Sequence, residues 1–589
     1  MMGLSVPCFF SFVRFVFWFS FIHLAVANHF ASSMRPLYHD DERSALLQFK
    51  QSFYTDKYTC FNLSDYPKVE SWKLEGGNSS SADCCSWDGI KCDEETGHVI
   101  KLDLSSSCLF GSINSTTTLF QLVHLQWLSL AYNIFNISEI PAAINNLSRL
   151  SHLNLSFSFI SGQIPPQLLD LRNLVSLDLS YNSVIQGPGN HKNHLELREP
   201  SLQNLVEKLT KLKVLNLDNV LISSPIPHML ANLSLTYLSL QDCGLQGEFP
   251  TKIFQLPNLS VLQLSHNSNL TGYLPEFEKT SPLTVLAIGG CGFSGTIPSS
   301  LGNLTKLVSL DVSFSSFLGE LPISIGNLAS LKELILEGYN FSGQISSSIL
   351  GNLTQLDYLD LSHSHNKFSG QNSSSLSWIA KNTKLKILDL SDLNLVGHIP
   401  SSLGNLTSLE SLDLSNNRLF GEIPQQLADI TFLEVFNVSY NHLKGLVPQG
   451  KQFDTFENSS YHELFPSQIS PSMPHASGPV LSISSGQSTP DCISSGISVS
   501  SGTATADMGN SGMVESVDTL LAHMPSCNLG PISTHGMVTR SKIGQAIVPN
   551  DDLVRRSLPY FCSTSRVKDR FQDHISATHQ TLKKAQISG

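Results

Sequence analysis

The sequence predicts an α/β solenoid, a right-handed superhelix with a parallel sheet on its concave side. A small helical, cysteine-bearing cap precedes the solenoid and a disordered tail follows it. Three observations predict this. The middle of the chain matches itself at a period of about 24 residues, which puts one supersecondary unit in each copy. A segment of different character, rich in cysteine and tryptophan, stands before the first copy. Beyond His462 the composition turns to Ser, Gly, Pro and Thr. The chain has 589 residues, 41% of them hydrophobic, enough for a core, and a net charge of -12, which excludes a basic nucleic-acid face as the dominant surface. Eleven cysteines are too few for a disulfide-dense miniature scaffold.

Residues 1–27 read as a signal peptide. Leu4 to Ala27 are almost wholly apolar apart from Arg14, and Ala25 and Ala27 flank Val26 as a small-x-small cleavage site, which places cleavage after Ala27. The apolar run after Arg14 is shorter than the ~20 residues of a membrane span. No second run of spanning length follows, so the expected product is secreted, or is held at a membrane only by a partner. Secretion permits disulfides and N-glycans.

Residues 28–98 read as the cap. Asp40 to Lys50 form an amphipathic helix, with Asp40 or Asp41 as its cap and in favourable contact with its dipole. Trp72, Cys84, Cys85, Trp87, Gly89 and Cys92 follow. A solenoid needs such a unit to cover its first apolar face. A zinc reading of the cysteines has the wrong spacing and the wrong compartment.

Residues 99–450 hold about fourteen copies. Leu283, Leu307 and Leu331 start equivalent segments, as do Leu385, Leu409 and Leu433. In the clearest copy Leu409, Leu412 and Leu414 point inward, and the last two are spaced as a half-buried strand requires. Asn417 turns the chain and can satisfy the backbone of neighbouring turns, so a column of such residues would form a buried ladder. Gly421 accepts a positive φ at the next bend, and Ile423 and Pro424 close the copy. The ladder is expected to break at Val220, Cys243, Cys291, Ser315, Tyr339 and Leu393. Cys243 and Cys291 read as buried thiols in place of Asn. Two segments exceed the period, 186–207 and 362–382. In the first, His191 and His194 lack a third ligand nearby and read as a solvated loop.

The pattern LxxLxxLxLxxNxLxGxIPxxLxxL resembles the plant-type extracellular leucine-rich repeat of receptor kinases, receptor-like proteins and polygalacturonase inhibitors. The cap, with its paired cysteines and Trp-x-Gly-Ile-x-Cys motif, resembles the amino-terminal cap of the same receptors, which implies that Cys85 pairs with Cys92 in a disulfide-bonded cap. Family members carry a further cysteine before the first helix. Tyr38 stands there in this chain, so Cys60 becomes the available partner for Cys84, with the pairing of Cys60, Cys84 and Cys108 open. The last copies and residues 451–461 resemble the membrane-proximal end of kinase-less plant receptor-like proteins, without the usual island before the last repeats, and the resemblance stops after Tyr461. The implied location is the plasma membrane, or the extracellular space if the chain is complete as written.

Residues 462–589 read as disordered and foreign. Sequons occur at Asn62, Asn78, Asn114, Asn136, Asn146, Asn154, Asn232, Asn258, Asn269, Asn303, Asn340, Asn352, Asn372, Asn405, Asn437 and Asn458, and none follows. Residues 534–544 resemble the linker that precedes reverse transcriptase in copia-type retrotransposon polyproteins.

No nucleophile–base pair, phosphate loop or paired-carboxylate constellation recurs, so the chain reads as a binding protein with no catalytic residue, cofactor or metal. Residues flanking the inward leucines are expected on the concave face as a binding stripe: Trp127, Tyr132, His152, Phe157, Tyr237, His266, Phe314, Tyr339, Tyr358 and His363. The resemblance implies a cell-surface recognition protein in defence or development. It would bind a peptide, protein or glycan and signal through a co-receptor kinase docked on the late repeats, residues 385–441. The alternatives are a secreted inhibitor of pathogen cell-wall hydrolases, and a non-functional receptor fragment whose open last repeat exposes apolar edge.

Overall fold

Leucines two apart with small or polar residues between them demand extended backbone with one buried face. The computed structural model describes residues 39–462 except 56–59, 63, 74–82, 183, 187–190, 339, 343–346, 363–372 and 451. The leader over 1–27, the tail from 463, Tyr339, His363, Asn78 and Asn372 lie outside the described residues, as do the side chains of His191 and Asn340.

The repeats form a leucine-rich-repeat solenoid around a fifteen-stranded sheet. Strand β1 (Ile90–Cys92) of the cap runs antiparallel to β2 (Val99–Asp103). Every later strand is parallel: β3 (Trp127–Ser129), β4 (His152–Asn154), β5 (Ser176–Asp178), β6 (Val214–Asn216), β7 (Tyr237–Ser239), β8 (Val261–Gln263), β9 (Val285–Ala287), β10 (Ser309–Asp311), β11 (Glu333–Ile335), β12 (Tyr358–Asp360), β13 (Ile387–Asp389), β14 (Ser411–Asp413) and β15 (Val435–Asn437). Most copies return on the outer side through a short 3₁₀ turn, often entered at a proline such as Pro141, Pro165, Pro298 or Pro424, whose fixed φ suits that entry. Short flanking strands, from Gln246–Glu248 to Asn340–Ser342, pair into a second parallel sheet of five. Gly421, at the end of a strand (Arg418–Gly421) in a further flanking sheet of three, has φ +87°, and a Cβ there would lie 2.3 Å from the His398 ring. At the insertion over 186–207, Val184–Gln186 pairs antiparallel with His191–Asn193, so His191 lies on a strand and not in the expected loop, and the helix Leu202–Lys208 opens on a Ser201–Asn204 capping box.

The core is one continuous column of buried side chains from Ala45 to Phe453, to which one copy contributes Leu403, Leu406, Leu409, Leu412, Leu414 and Leu419. Each such leucine contributes about 1.5–3 kcal/mol. The ladder beside it is explicit. Asn182 Nδ2 donates to the carbonyls of Leu155 (2.8 Å) and Leu179 (3.0 Å), and its Oδ1 accepts from the Ser158 amide at 2.8 Å. Asn133, Asn267, Asn417 and Asn441 repeat the arrangement. The expected breaks are only partial. Cys243 Sγ donates to Leu217 O and Cys291 Sγ to Leu264 O, both at 3.1 Å, and Ser315 Oγ reaches Ile288 O at 3.4 Å. A thiol or hydroxyl keeps the donor half of the asparagine's work and loses the acceptor half. Val220 and Leu393 are buried and bring no polar side chain.

In the cap, helix α1 (Asp40–Gln51) buries Ala45, Leu46 and Phe49. Its amino-terminal cap position is His39, not Asp40 or Asp41. Asp40, Asp41 and Glu42 occupy the first turn instead, where they still favour the dipole, while the His39 ring bonds Thr96 O. Trp72 and Trp87 stack with centroids 5.6 Å apart, and Trp72 Nε1 donates to Asp88 O. Disulfides join Cys85 to Cys92 and Cys60 to Cys108. Cys60, taken above as the substitute partner for Cys84, is thus committed to Cys108, and Cys84 is a buried thiol pushed up to about 12 by burial.

The other end is covered too. Residues 452–462 fold back over the last copy, where Phe453, Phe456 and Tyr461 surround Phe436 with ring centroids 5.1, 5.6 and 6.1 Å away. Backbone bonds from Val438 N to Ser460 O and from Tyr440 N to His462 O continue the strand spacing. Gln452 Nε2 donates to Ala428 O at 2.7 Å. The expected open apolar edge is therefore closed by the segment taken for a juxtamembrane remnant, because its aromatic residues match the last leucine positions. Among the described residues no helix is long and apolar enough to cross a membrane.

Asn182→Ala strands two amides and two carbonyls and should lower stability in chemical denaturation by about 2–5 kcal/mol. Cys243→Ser keeps the donor and should change it by no more than about 1 kcal/mol.

Candidate functional site

A three-residue strand has one inward leucine between two residues on the concave face, which fixes what that face displays. The first positions pair residue on residue: Lys101, Trp127, His152, Ser176, Val214, Tyr237, Val261, Val285 and Ser309, then Glu333, Tyr358, Ile387, Ser411 and Val435. The third positions form a parallel polar column that includes Asn154, Asp178, Asn216, Asp311, Asp360, Asp389, Asp413 and Asn437.

Of the expected stripe, Trp127, His152, Tyr237 and Tyr358 lie in the first column. Tyr132, Phe157, His266 and Phe314 do not. Their strands have ended, and they occupy the turn just before the ladder position with φ between +45° and +65°. The same left-handed turn holds Asn219, Asp242 and Asn416, so it belongs to the repeat and is not local strain. This puts an aromatic flank beside the sheet. Phe157 stacks between Tyr132 (4.7 Å) and Tyr181 (4.8 Å). Phe61 of the cap closes on Tyr132 at 5.9 Å. Tyr181 and Lys101 were not foreseen, although both share the column spacing of residues that were.

The face has three zones. At the amino end Lys101 Nζ sits 4.5 Å over the Trp127 ring, and Trp127 stacks on His152 at 4.3 Å. Burial, then Lys101, holds the His152 imidazole below its ordinary pKa. In the middle, Val214, Tyr237 and Val261 make an apolar cluster separate from the main core, with Val285 packed against it. Tyr237 is therefore buried, only 6% exposed, rather than displayed, and its hydroxyl donates to Gln263 Oε1. Beneath it the buried Asp218 accepts from Ser239 Oγ at 2.6 Å and the Gln241 amide at 2.7 Å, yet burial raises its pKa to about 7. At the carboxyl end Asp360, Asp389 and Asp413 stand on adjacent strands. Each accepts from the serine two residues on, as Asn154 and Asn437 also do. Burial, then Asp360, raises Asp389 to about 7.

Sequon asparagines divide by face. Asn146, Asn232 and Asn405 end outer 3₁₀ turns and are exposed. Asn62, Asn114, Asn136, Asn258, Asn269, Asn352 and Asn458 are exposed as well. Asn154 and Asn437 lie on the concave strands, and Asn437 Nδ2 donates to Asp413 Oδ2 at 3.0 Å. Asn303 Nδ2 is likewise committed, to Phe277 O at 2.9 Å. A glycan at either committed amide would displace that bond.

Sequence comparison meets this geometry at both modules. A leucine-rich repeat N-terminal domain matches residues 39–93, and leucine-rich repeats match residues 282–304, 384–406 and 408–430. Receptor-like protein 6 of Arabidopsis thaliana is 39% identical over 293 residues, 48% of this chain and 28% of the relative. The receptor-like protein Cf-9 homolog of Solanum lycopersicum is 35% identical over 238 residues, 39% of this chain and 26% of the relative. The chain is homologous to plant receptor-like proteins. Its match spans about a quarter of the length of these relatives. The solved structure of a TDR receptor shares 30% identity, covers 62% of this chain and 59% of that chain, and superposes with a TM-score of 0.49.

Asp389 gives the repeat array a pH signature. Its folded pKa lies above the unfolded value, so between about pH 4 and 7 the folded state holds a proton the unfolded chain has released. That stability is full below the unfolded pKa and is lost as pH rises through about 7. Asp389→Asn keeps the acceptor for Ser391 without the charge. Thermal melts should show the variant more stable above pH 7, on the order of 1–3 kcal/mol, with the difference vanishing near pH 4.

Proposed function

We propose that this chain is the extracellular recognition module of a receptor-like protein, binding a peptide or protein ligand along the concave sheet. The observation that carries this is the first-position column, where Lys101, Trp127, His152 and Tyr358 share one register, with Val214, Val261 and Val285 among the residues between them. Rigid aromatic residues on a preformed sheet offer large contact area at low entropic cost. The exposed sequons on the outer turns, Asn146, Asn232 and Asn405, would carry glycans away from this face. The two ends differ in charge, with Lys101 at one and Asp360, Asp389 and Asp413 at the other. A ligand with an acidic and a basic end would thus bind in one direction. By homology the signal would leave through a co-receptor kinase on the late repeats, in defence or development, from the secretory pathway or plasma membrane. The cover over the last copy argues against an open, aggregating fragment.

Peptides selected by display against the full chain should lose at least tenfold in affinity on Trp127→Ala or Tyr358→Ala. Ile323→Ser, at an exposed residue of an outer turn, should leave affinity unchanged. Binding that survives both column changes and falls with Ile323→Ser would overturn the proposal.

A further inference from the structure

The cap and the first two strands bring together three side chains that recognition along the sheet does not use. Glu42 lies in the first turn of α1 and is buried, 4% exposed. Its Oε2 accepts from the Val99 amide at 2.8 Å, and its Oε1 lies 3.2 Å from His98 Nδ1. His124, in the turn that precedes β3, stacks on His98 with centroids 3.6 Å apart. One ligand atom from each of Glu42, His98 and His124 falls within 4.8 Å of the other two. His39 backs the group, stacked on His98 at 3.6 Å and held by Thr96 O.

We infer that Glu42, His98 and His124 form a binding site for a divalent transition metal, with zinc the best fit. One carboxylate oxygen and two imidazole nitrogens are the donor set of three-ligand zinc sites, which keep a fourth position for water or a partner's group. Tetrahedral zinc with bonds of about 2.0–2.1 Å sets its ligand atoms roughly 3.3 Å apart, which the Glu42–His98 contact already meets. The wider separations need to close by at most roughly 1.5 Å, and the half-buried His124 ring has to turn out of its stack on His98, because stacked imidazoles aim their lone pairs along parallel planes. Calcium and magnesium are disfavoured, since they take oxygen ligands and this site offers one carboxylate.

The surroundings suit the role. The Val99 amide fixes the carboxylate through its second oxygen, leaving Oε1 for the metal. His39, itself bonded to Thr96 O, stacks on the His98 ring and restricts its orientation. A bound ion would also neutralise the buried Glu42 charge. Because Glu42 and His98 are 56 residues apart in sequence and His124 lies in the next copy, the metal would clip α1 to the first two copies of the solenoid.

The test is calorimetric titration of Zn²⁺ into the tag-free, chelator-treated full chain, with thermal melts alongside. One equivalent should bind with a dissociation constant of about micromolar or tighter, raise the melting temperature, and give a visible absorption band when Co²⁺ replaces Zn²⁺. His124→Ala, a change at a half-buried turn residue that leaves α1 intact, should remove that equivalent or weaken it at least tenfold. Glu42→Gln should do the same wherever it folds. An equivalent that survives His124→Ala, or binding no tighter than that of Mg²⁺, would overturn the site and leave the recognition proposal untouched.

Discussion

A solenoid of this kind depends on satisfying the backbone of its turns inside the core. Each copy buries a bend whose amides and carbonyls no strand partner can reach, and an unpaired buried peptide group costs more than a good bond returns. Asn182 illustrates the solution, with one amide group bonding the turn before it and its own. The leucines supply the driving force, but they are non-directional and would tolerate slippage. The asparagine amides are directional, and they hold consecutive copies in register.

Register is what turns a stack of copies into a surface. Because Lys101, Trp127 and His152 stand opposite one another on successive strands, a cation, an indole and an imidazole become one continuous stack. The same alignment places Asp360, Asp389 and Asp413 side by side and raises the pKa of the middle one. It also lines up the left-handed turns, so that Tyr132, Phe157 and Tyr181 stack along the flank. Charge, aromaticity and proton affinity on this face all follow from the spacing that the buried ladder enforces.

Much of this was legible in the sequence. The period, the inward leucines, the cap and the outer turns all follow from residue spacing, because they depend on interactions within a copy or between adjacent ones. What was not legible depended on exact strand length or on distant contacts. Tyr132 and Phe314 were assigned to the concave face because a pattern of alternation does not say where a strand ends. Tyr237 was read as displayed, yet its neighbours Val214 and Val261 draw it into a cluster. The Cys60–Cys108 bond joins residues 48 apart, and the closure of the last copy by Phe453 and Tyr461 needed the fold itself to bring a nominal spacer onto Phe436. Glu42, His98 and His124 carry no motif at all, since they meet only across the cap boundary.

The claim that side-chain amides inside the turns hold the array in register is tested most directly by hydrogen exchange resolved to single amides on the full chain. The amides of Ser158, Leu245 and Leu395 bond only to the side chains of Asn182, Asn267 and Asn417. They should exchange as slowly as the strand amides of Leu215 and Leu262. Exchange at the rate of an exposed amide with no hydrogen bond would contradict the account, because the ladder would then be a consequence of stacking and not what holds it.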